Sequence, residues 1–224
     1  MTLGEDEPDA RGRTGLHLTG RDLARNPEVR IVDVELVAAA WHVLRRTTFE
    51  QRDATGTWVR KTAETYDRGN GATILLYDAE RRTVLLTRQF RYPAYVNDHE
   101  DGMLIEAAAG LLDGDEPEAA IRREAIEETG HEIGQVEHLF DLFMSPGSVT
   151  ERVHFYAAPY SPATALHTGG GIADEGEQIE TVELPFDEAL ASIGTHIVDA
   201  KTIVLLQWAA LAGPFSPAPP SSPR

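Results

Sequence analysis

Glu124, Glu127 and Glu128 crowd into the short segment RREAIEETG, Arg122–Gly130. On a helix, Glu124 and Glu128 share one face and Glu127 lies beside them. Like charges at this spacing destabilise an isolated helix by roughly 0.2–0.5 kcal/mol per pair, so something should offset them. A hard divalent cation would do so. Mg²⁺ takes carboxylate oxygens together with water and substrate phosphate, and Mn²⁺ is the alternative. Arg123, four residues before Glu127, offers a salt bridge. On helix statistics alone, a solvated acidic helix explains the same residues, because Glu and Arg are good helix formers. The surroundings favour chemistry. Small residues at Ala107–Gly110 end a strand, a Gly/Asp loop follows, and the helix then begins. Backbone carbonyls near Ala109 can thereby meet the glutamates.

The elements that position this helix follow from pattern. Glu116-Pro117 opens it, since proline at the first turn suits the missing N–H, with Asp115 or Glu116 as the expected cap. Gly130 is the expected stop. Upstream, ATILLYD (Ala72–Asp78) and TVLLTRQFR (Thr83–Arg91) are apolar runs split by a charged turn, which reads as a hairpin. MLIEAAAG (Met103–Gly110) reads as one further strand. The region from Arg30 to about Glu50, with Trp58–Asp67, predicts an N-terminal antiparallel sheet. Downstream, VEHLFDLFMS, RVHFYAAPYS and QIETVELPF are strands, with a Gly-rich loop at Thr168–Gly171. Phe186–Gly194 and Asp199–Leu211 are helices. The order predicts an α+β fold or an α/β/α sandwich. Four stretches are expected: a disordered acidic tail (1–15), an N-terminal β region (16–65), a main domain (66–212) and a flexible Pro/Ser-rich end (213–224).

Composition narrows the classes. A chain of 224 residues supports one sizeable core. It has no cysteine, which excludes disulfides, zinc–thiolate sites and cysteine nucleophiles. The net charge of −17 speaks against nucleic acid as a partner. It also requires cations concentrated at any site that takes an anionic substrate. No apolar run approaches the ~18 residues of a membrane span. The start, MTLGEDEPDARGRTG, lacks the apolar core of a secretory signal, so the cytoplasm is the expected location. The eight histidines show no ligand spacing such as HExxH and are read as structural or surface residues.

The stretch Gly110–Gly130, GLLDGDEPEAAIRREAIEETG, resembles the Nudix box. Arg123, Glu124, Ala125, Glu127, Glu128 and Gly130 match its second half without a gap. Asp115 stands at the first Glu position and Ala109 at the first Gly position, with Gly110 one residue late. From Tyr66 through Leu211 the chain is similar to the GDP-mannose pyrophosphatase branch of the ADP-sugar Nudix hydrolases. YDRGNGATILLYD, RQFR, REAIEETG, MSPGSVTE, GGGIADE and DAKTIVLL carry that likeness.

The resemblance implies a Nudix α/β/α sandwich with an N-terminal antiparallel sheet. It implies Mg²⁺-dependent cleavage of the diphosphate of a nucleoside-diphosphate sugar, GDP-mannose giving GMP and mannose 1-phosphate. ADP-ribose, giving AMP and ribose 5-phosphate, is the alternative substrate, and a nucleotide-sensing module without catalysis is another reading. Thr62-Ala63 stands where that branch carries basic residues. Carried over, Glu124, Glu128, Glu175 and the Ala109 carbonyl are metal ligands. Glu151, Glu127 and Arg123 are the catalytic set, with Glu151 or Glu175 activating water. Arg91 is a phosphate clamp, as suits a guanidinium. Trp41 stacks on the base, Glu64 binds base or ribose, and Gly110, Leu111, Thr150, Asp174 and Lys201 complete the substrate contacts. The N-terminal strands are expected to form a homodimer.

Overall fold

The computed structural model describes residues 23–112, 114–167, 169–171 and 178–217. The chain divides into two compact units. One runs through Asn70 and takes in Phe143–Arg152; the other comprises Gly71–Leu142 and Val153 onward.

The first unit is an antiparallel sheet of β1 (Val29–Ala39), β2 (Val43–Arg52) and β3 (Trp58–Asp67), in that order. β-Branched and aromatic residues favour the pleated surface, and the β2–β3 turn is closed by Asp53, whose carboxylate accepts from the amides of Thr55 (2.8 Å) and Thr57 (2.9 Å). Arg45 is fully buried and donates to Asp67 Oδ2 at 3.1 Å. Asp67 Oδ1 accepts from the Thr150 hydroxyl at 2.9 Å, and the amides of Tyr66 and Thr150 bond to Ser148 and Tyr66 carbonyls at 2.8 and 3.1 Å. The 143–152 segment is thereby stitched to the end of β3.

The second unit contains β4 (Gly71–Asp78), β5 (Thr83–Phe90), α1 (Tyr92–Tyr95), β6 (Met103–Glu106), β7 (Ala108–Leu111), α2 (Pro117–Thr129), β8 (Glu137–Phe143), β9 (Arg152–Pro159), β10 (Glu180–Pro185), α3 (Phe186–Ala191) and α4 (Ala200–Leu211). Among the described residues seven strands form one mixed sheet in the order β10-β5-β4-β9-β8, with β6 on β5 and β7 on β4. β4 and β9 run parallel from Gly71↔Val153 to Tyr77↔Pro159.

The β4–β5 hairpin is paired only near its turn, Leu76–Asp78 against Thr83–Leu85. Beyond that the two strands splay. β6 pairs with β5 at Thr87–Phe90, and β7 pairs with β4 at Gly71–Ile74. The expected single strand Met103–Gly110 is thus two strands broken at Ala107, where the chain leaves one partner for the other. Ladder bonds cannot satisfy the backbone at such a crossing, and buried amides and carbonyls must be paired. Three fully buried threonines do this. Thr87 donates to the Glu106 carbonyl at 3.2 Å, Thr73 to the Ala108 carbonyl at 3.1 Å, and the Ala107 amide donates to Thr202 Oγ1 at 2.7 Å.

Ala72, Ile74 and Leu76 on β4 pack with Ile121 and Ala125 of α2 and with Tyr156 and Ala158 of β9. Thr73 and Leu75 point to the opposite face by strand alternation and are also fully buried; α4 packs against this strand. The fold is α+β, with a mixed sheet between helices. Three further details differ from the sequence reading. The short helix α1 at Tyr92–Tyr95, with proline in its first turn, was not foreseen. Glu116 is the N-cap of α2 but makes no side-chain cap bond; Asp115 instead lies 3.6 Å from the Arg123 guanidinium. The start of the Pro/Ser-rich end is packed rather than loose: Phe215 is buried, with its ring 4.2 Å from that of Phe186. Residues 1–15 lie outside the described residues, and among the described residues no helix is long and apolar enough to cross a membrane.

Thr202→Val should lower unfolding free energy by about 1–3 kcal/mol, because it leaves the buried Ala107 amide without an acceptor. Urea denaturation reads this directly, and an unchanged midpoint would show that the crossing does not need the hydroxyl.

Candidate active site

The acidic face of α2 lies against β7. Glu128 is buried, and the Ala109 amide donates to its Oε2 at 3.3 Å. The structure therefore joins Ala109 to Glu128 through the peptide N–H. Gly110, the next residue, bears on a different glutamate. A Cβ there would fall 2.4 Å from Glu124 Cδ and 2.8 Å from its Oε1. The Glu124 carboxylate thus lies where any other side chain would be. Leu111 closes β7 opposite Gly71.

Arg123 stands among the carboxylates. One guanidinium nitrogen is 3.0 Å from Glu124 Oε1 and 3.3 Å from Glu127 Oε2, and the other is 3.6 Å from Asp115. Partial burial works against its charge, but Glu124, Glu127 and Asp115 together hold its pKa above the ordinary arginine value. One cation thereby relieves repulsion among three anions. The end of α2 is fixed by the loop that follows β9. Gly130 closes the helix at φ 73°, a left-handed conformation that favours glycine. Helix-end carbonyls accept from that loop: Gly130 from Leu166 at 2.7 Å, Glu128 from Gly170 at 3.0 Å and Glu127 from Gly171 at 3.3 Å. Asp174 and Glu175 lie outside the described residues.

Arg91 and Lys201 are far apart in sequence yet meet on one carboxylate. Arg91 donates from Nε and Nη2 to the two oxygens of Glu106, at 2.8 and 2.9 Å. Lys201 Nζ donates to Glu106 Oε2 at 2.7 Å and lies 2.9 Å from Asp199 Oδ1. Asp199 also caps α4 by accepting from the Thr202 amide at 2.9 Å. Burial alone would raise the Glu106 pKa; the hydrogen bonds and charges of Arg91 and Lys201 overcome it and bring it from 4.5 down to about 2. Burial likewise disfavours the Arg91 charge, and Glu106, with contributions from Glu128 and Asp199, more than restores it. Sequence reasoning missed Glu106. Its only signal is a carboxylate set in the otherwise apolar run MLIEAAAG.

The remaining candidates belong to the first unit. Trp41 is exposed in the turn between β1 and β2. Glu64 on β3 is held by Arg46, at 2.9 and 3.1 Å. Glu151 is largely buried and lies 3.5 Å from Arg68 Nε. The Thr150 hydroxyl is committed to Asp67.

Comparison with known proteins gives two adjoining matches. Residues 67–206 match the NUDIX domain, and residues 28–66 match the GDP-mannose pyrophosphatase NudK N-terminal domain. A GDP-mannose pyrophosphatase of Klebsiella pneumoniae is 51% identical over 189 residues, covering 84% of this chain and 94% of the relative. That of Pectobacterium atrosepticum is 52% identical, covering 84% and 97%. That of Citrobacter koseri is 50% identical, covering 81% and 94%.

Two outcomes follow from the geometry. Gly110→Ala should displace Glu124 and lower Mn²⁺ affinity roughly 10- to 100-fold, read by electron paramagnetic resonance; equal affinity would separate Gly110 from cation binding. The depressed Glu106 pKa means that this group's contribution to stability is complete above pH 4.5 and is lost as pH falls toward about 2. The unfolding free energy of wild type relative to Glu106→Gln should shrink across that window. A constant difference would mean that the carboxylate titrates alike in both states.

Proposed function

Because the chain belongs to the Nudix family, we propose that it is a divalent-cation-dependent pyrophosphatase that cleaves the diphosphate of a nucleoside-diphosphate sugar, GDP-mannose yielding GMP and mannose 1-phosphate. The observation that carries this reading is the carboxylate face of α2 gathered against β7, with Gly110 leaving room for Glu124. The relatives that share half of its sequence over four-fifths of its length bear that enzyme's name.

The donor set is all oxygen, which fits Mg²⁺, with Mn²⁺ as the alternative. Glu124, Glu127 and Glu128 would hold it. When bound, such an ion stabilises charge on the attacking and leaving oxygens and makes water a better nucleophile. The chain's own residues do the rest. Arg123 keeps neighbouring carboxylates together and fixes Glu127. Glu106 is a positioning residue that aligns Arg91 and Lys201, giving an acidic protein a local pair of cations for an anionic substrate. Glu151 and Glu175 remain the two candidates for activating water, and Trp41 and Glu64 for contacting the nucleoside. The N-terminal sheet, with Val32, Val37 and Val59 exposed, is proposed to join a second copy in a homodimer, which sedimentation would test.

ADP-ribose is kept as the second substrate because Thr62-Ala63 replaces basic residues of the GDP-mannose branch. A panel of GDP-mannose, ADP-ribose and ADP-glucose with Mg²⁺ should show the highest kcat/KM for GDP-mannose, with GMP and mannose 1-phosphate as products. A dominant rate on ADP-ribose would reassign the substrate. Glu128→Gln should lower turnover by a few orders of magnitude while retaining the wild-type circular dichroism spectrum; full turnover would remove Glu128 from the mechanism.

A further inference from the structure

Among the described residues, three side chains on β8 and β9 could together hold a metal ion with donors of a different kind from the glutamates of α2. His138 and Asp141 are on β8 and His154 is on β9. Asp141 Oδ1 accepts from His138 Nε2 at 2.8 Å and from His154 Nδ1 at 2.7 Å. One potential ligand atom from each residue lies within 4.8 Å of the other two. His154 is buried, Asp141 is a third exposed and His138 half exposed. The edge of Tyr156 abuts the His138 ring, at 5.2 Å between centroids.

We propose that His138 Nε2, Asp141 Oδ1 and His154 Nδ1 form a binding site for a borderline divalent transition-metal ion such as Zn²⁺. Donor chemistry sets this site apart from the glutamates of α2. Two imidazole nitrogens and one carboxylate oxygen suit zinc, copper and nickel, whereas an all-carboxylate set suits magnesium. Three protein donors with an exposed side leave a fourth position for water.

The present geometry needs only a small adjustment. Ligands about 2.0–2.1 Å from a tetrahedral ion lie about 3.3 Å from one another. The two contacts to Asp141, at 2.7 and 2.8 Å, must therefore open by about half an ångström. His138, half exposed, can swing outward to do so, while buried His154 stays on β9. Each imidazole changes tautomer through solvent: the nitrogen now directed at Asp141 gives up its proton, the other ring nitrogen carries one, and the freed lone pair of the neutral ring takes the metal.

Sequence spacing conceals the group. His138 and Asp141 are three apart, which regular strand alternation would place on opposite faces, and His154 arrives from the next strand. Without an ion, the same three residues form a hydrogen-bonded clamp between β8 and β9. The test must distinguish the clamp from a metal site.

The full chain is titrated with ZnCl₂ by calorimetry in excess Mg²⁺, with thermal unfolding measured alongside. Wild type should bind zinc at this site and rise in Tm. His138→Gln keeps an N–H for Asp141 but has no imidazole. It should keep the metal-free Tm, lose the zinc-dependent rise and bind zinc at least roughly tenfold more weakly. Glu128→Gln should leave the zinc event intact. Absence of zinc binding in wild type, unchanged affinity in His138→Gln, or loss of the event in Glu128→Gln alone would each overturn the site. If His138→Gln lowers the metal-free Tm, His138→Asn and His138→Ala are titrated in its place and the same affinity criterion decides.

Discussion

The chain between Glu106 and Ala108 changes partner strand inside a closed core, and the charged clusters around Glu106 and on α2 depend on how that crossing is satisfied. A break in a β-ladder leaves peptide groups that neither strand can pair. Thr73, Thr87 and Thr202 supply the missing partners from three different elements. With the crossing pinned, Glu106 falls on one side, where Arg91 and Lys201 reach it. Ala109 and Gly110 fall on the other, under Glu128 and Glu124. Thr202 links the two effects, since the residue that receives the Ala107 amide also donates its own hydroxyl to Asp199 at 2.6 Å, and Asp199 holds Lys201.

Electrostatics in this molecule are local. The whole chain carries −17, yet the carboxylates of α2 and the buried Glu106 each have cations set among them. Arg123 serves Glu124, Glu127 and Asp115; Arg91 and Lys201 serve Glu106. In the first unit the buried Arg45–Asp67 pair differs in kind from the exposed Arg46–Glu64 pair. An exposed pair adds roughly 0–1 kcal/mol. A buried one has its desolvation cost offset only while both partners and their hydrogen bonds are present, so its main effect is to specify one arrangement. For Asp67 that arrangement includes Thr150, next to Glu151.

Close approach matters as much as charge. Gly110 leaves space that the Glu124 carboxylate occupies, and Gly130 ends α2 in a left-handed residue while the last carbonyls receive amides from Leu166, Gly170 and Gly171. The C-terminal end of α2 is therefore held by backbone, and β7 leaves room for the Glu124 carboxylate on the helix face.

By itself the sequence determined what is local. Helical spacing put Glu124 and Glu128 on one face and Arg123 within reach of Glu127. Gly130 marked the helix end, apolar runs marked the hairpin and the N-terminal sheet, and the contiguous box residues identified the family. Tertiary structure decided whatever joins distant positions. The break at Ala107 depends on a threonine 95 residues away, and the role of Glu106 depends on Lys201 at the same separation. Asp115 turned to Arg123 instead of capping, and two histidines met Asp141 across strands. Such pairings follow from which buried groups would otherwise lack a partner, and that is settled only when the chain has closed around them.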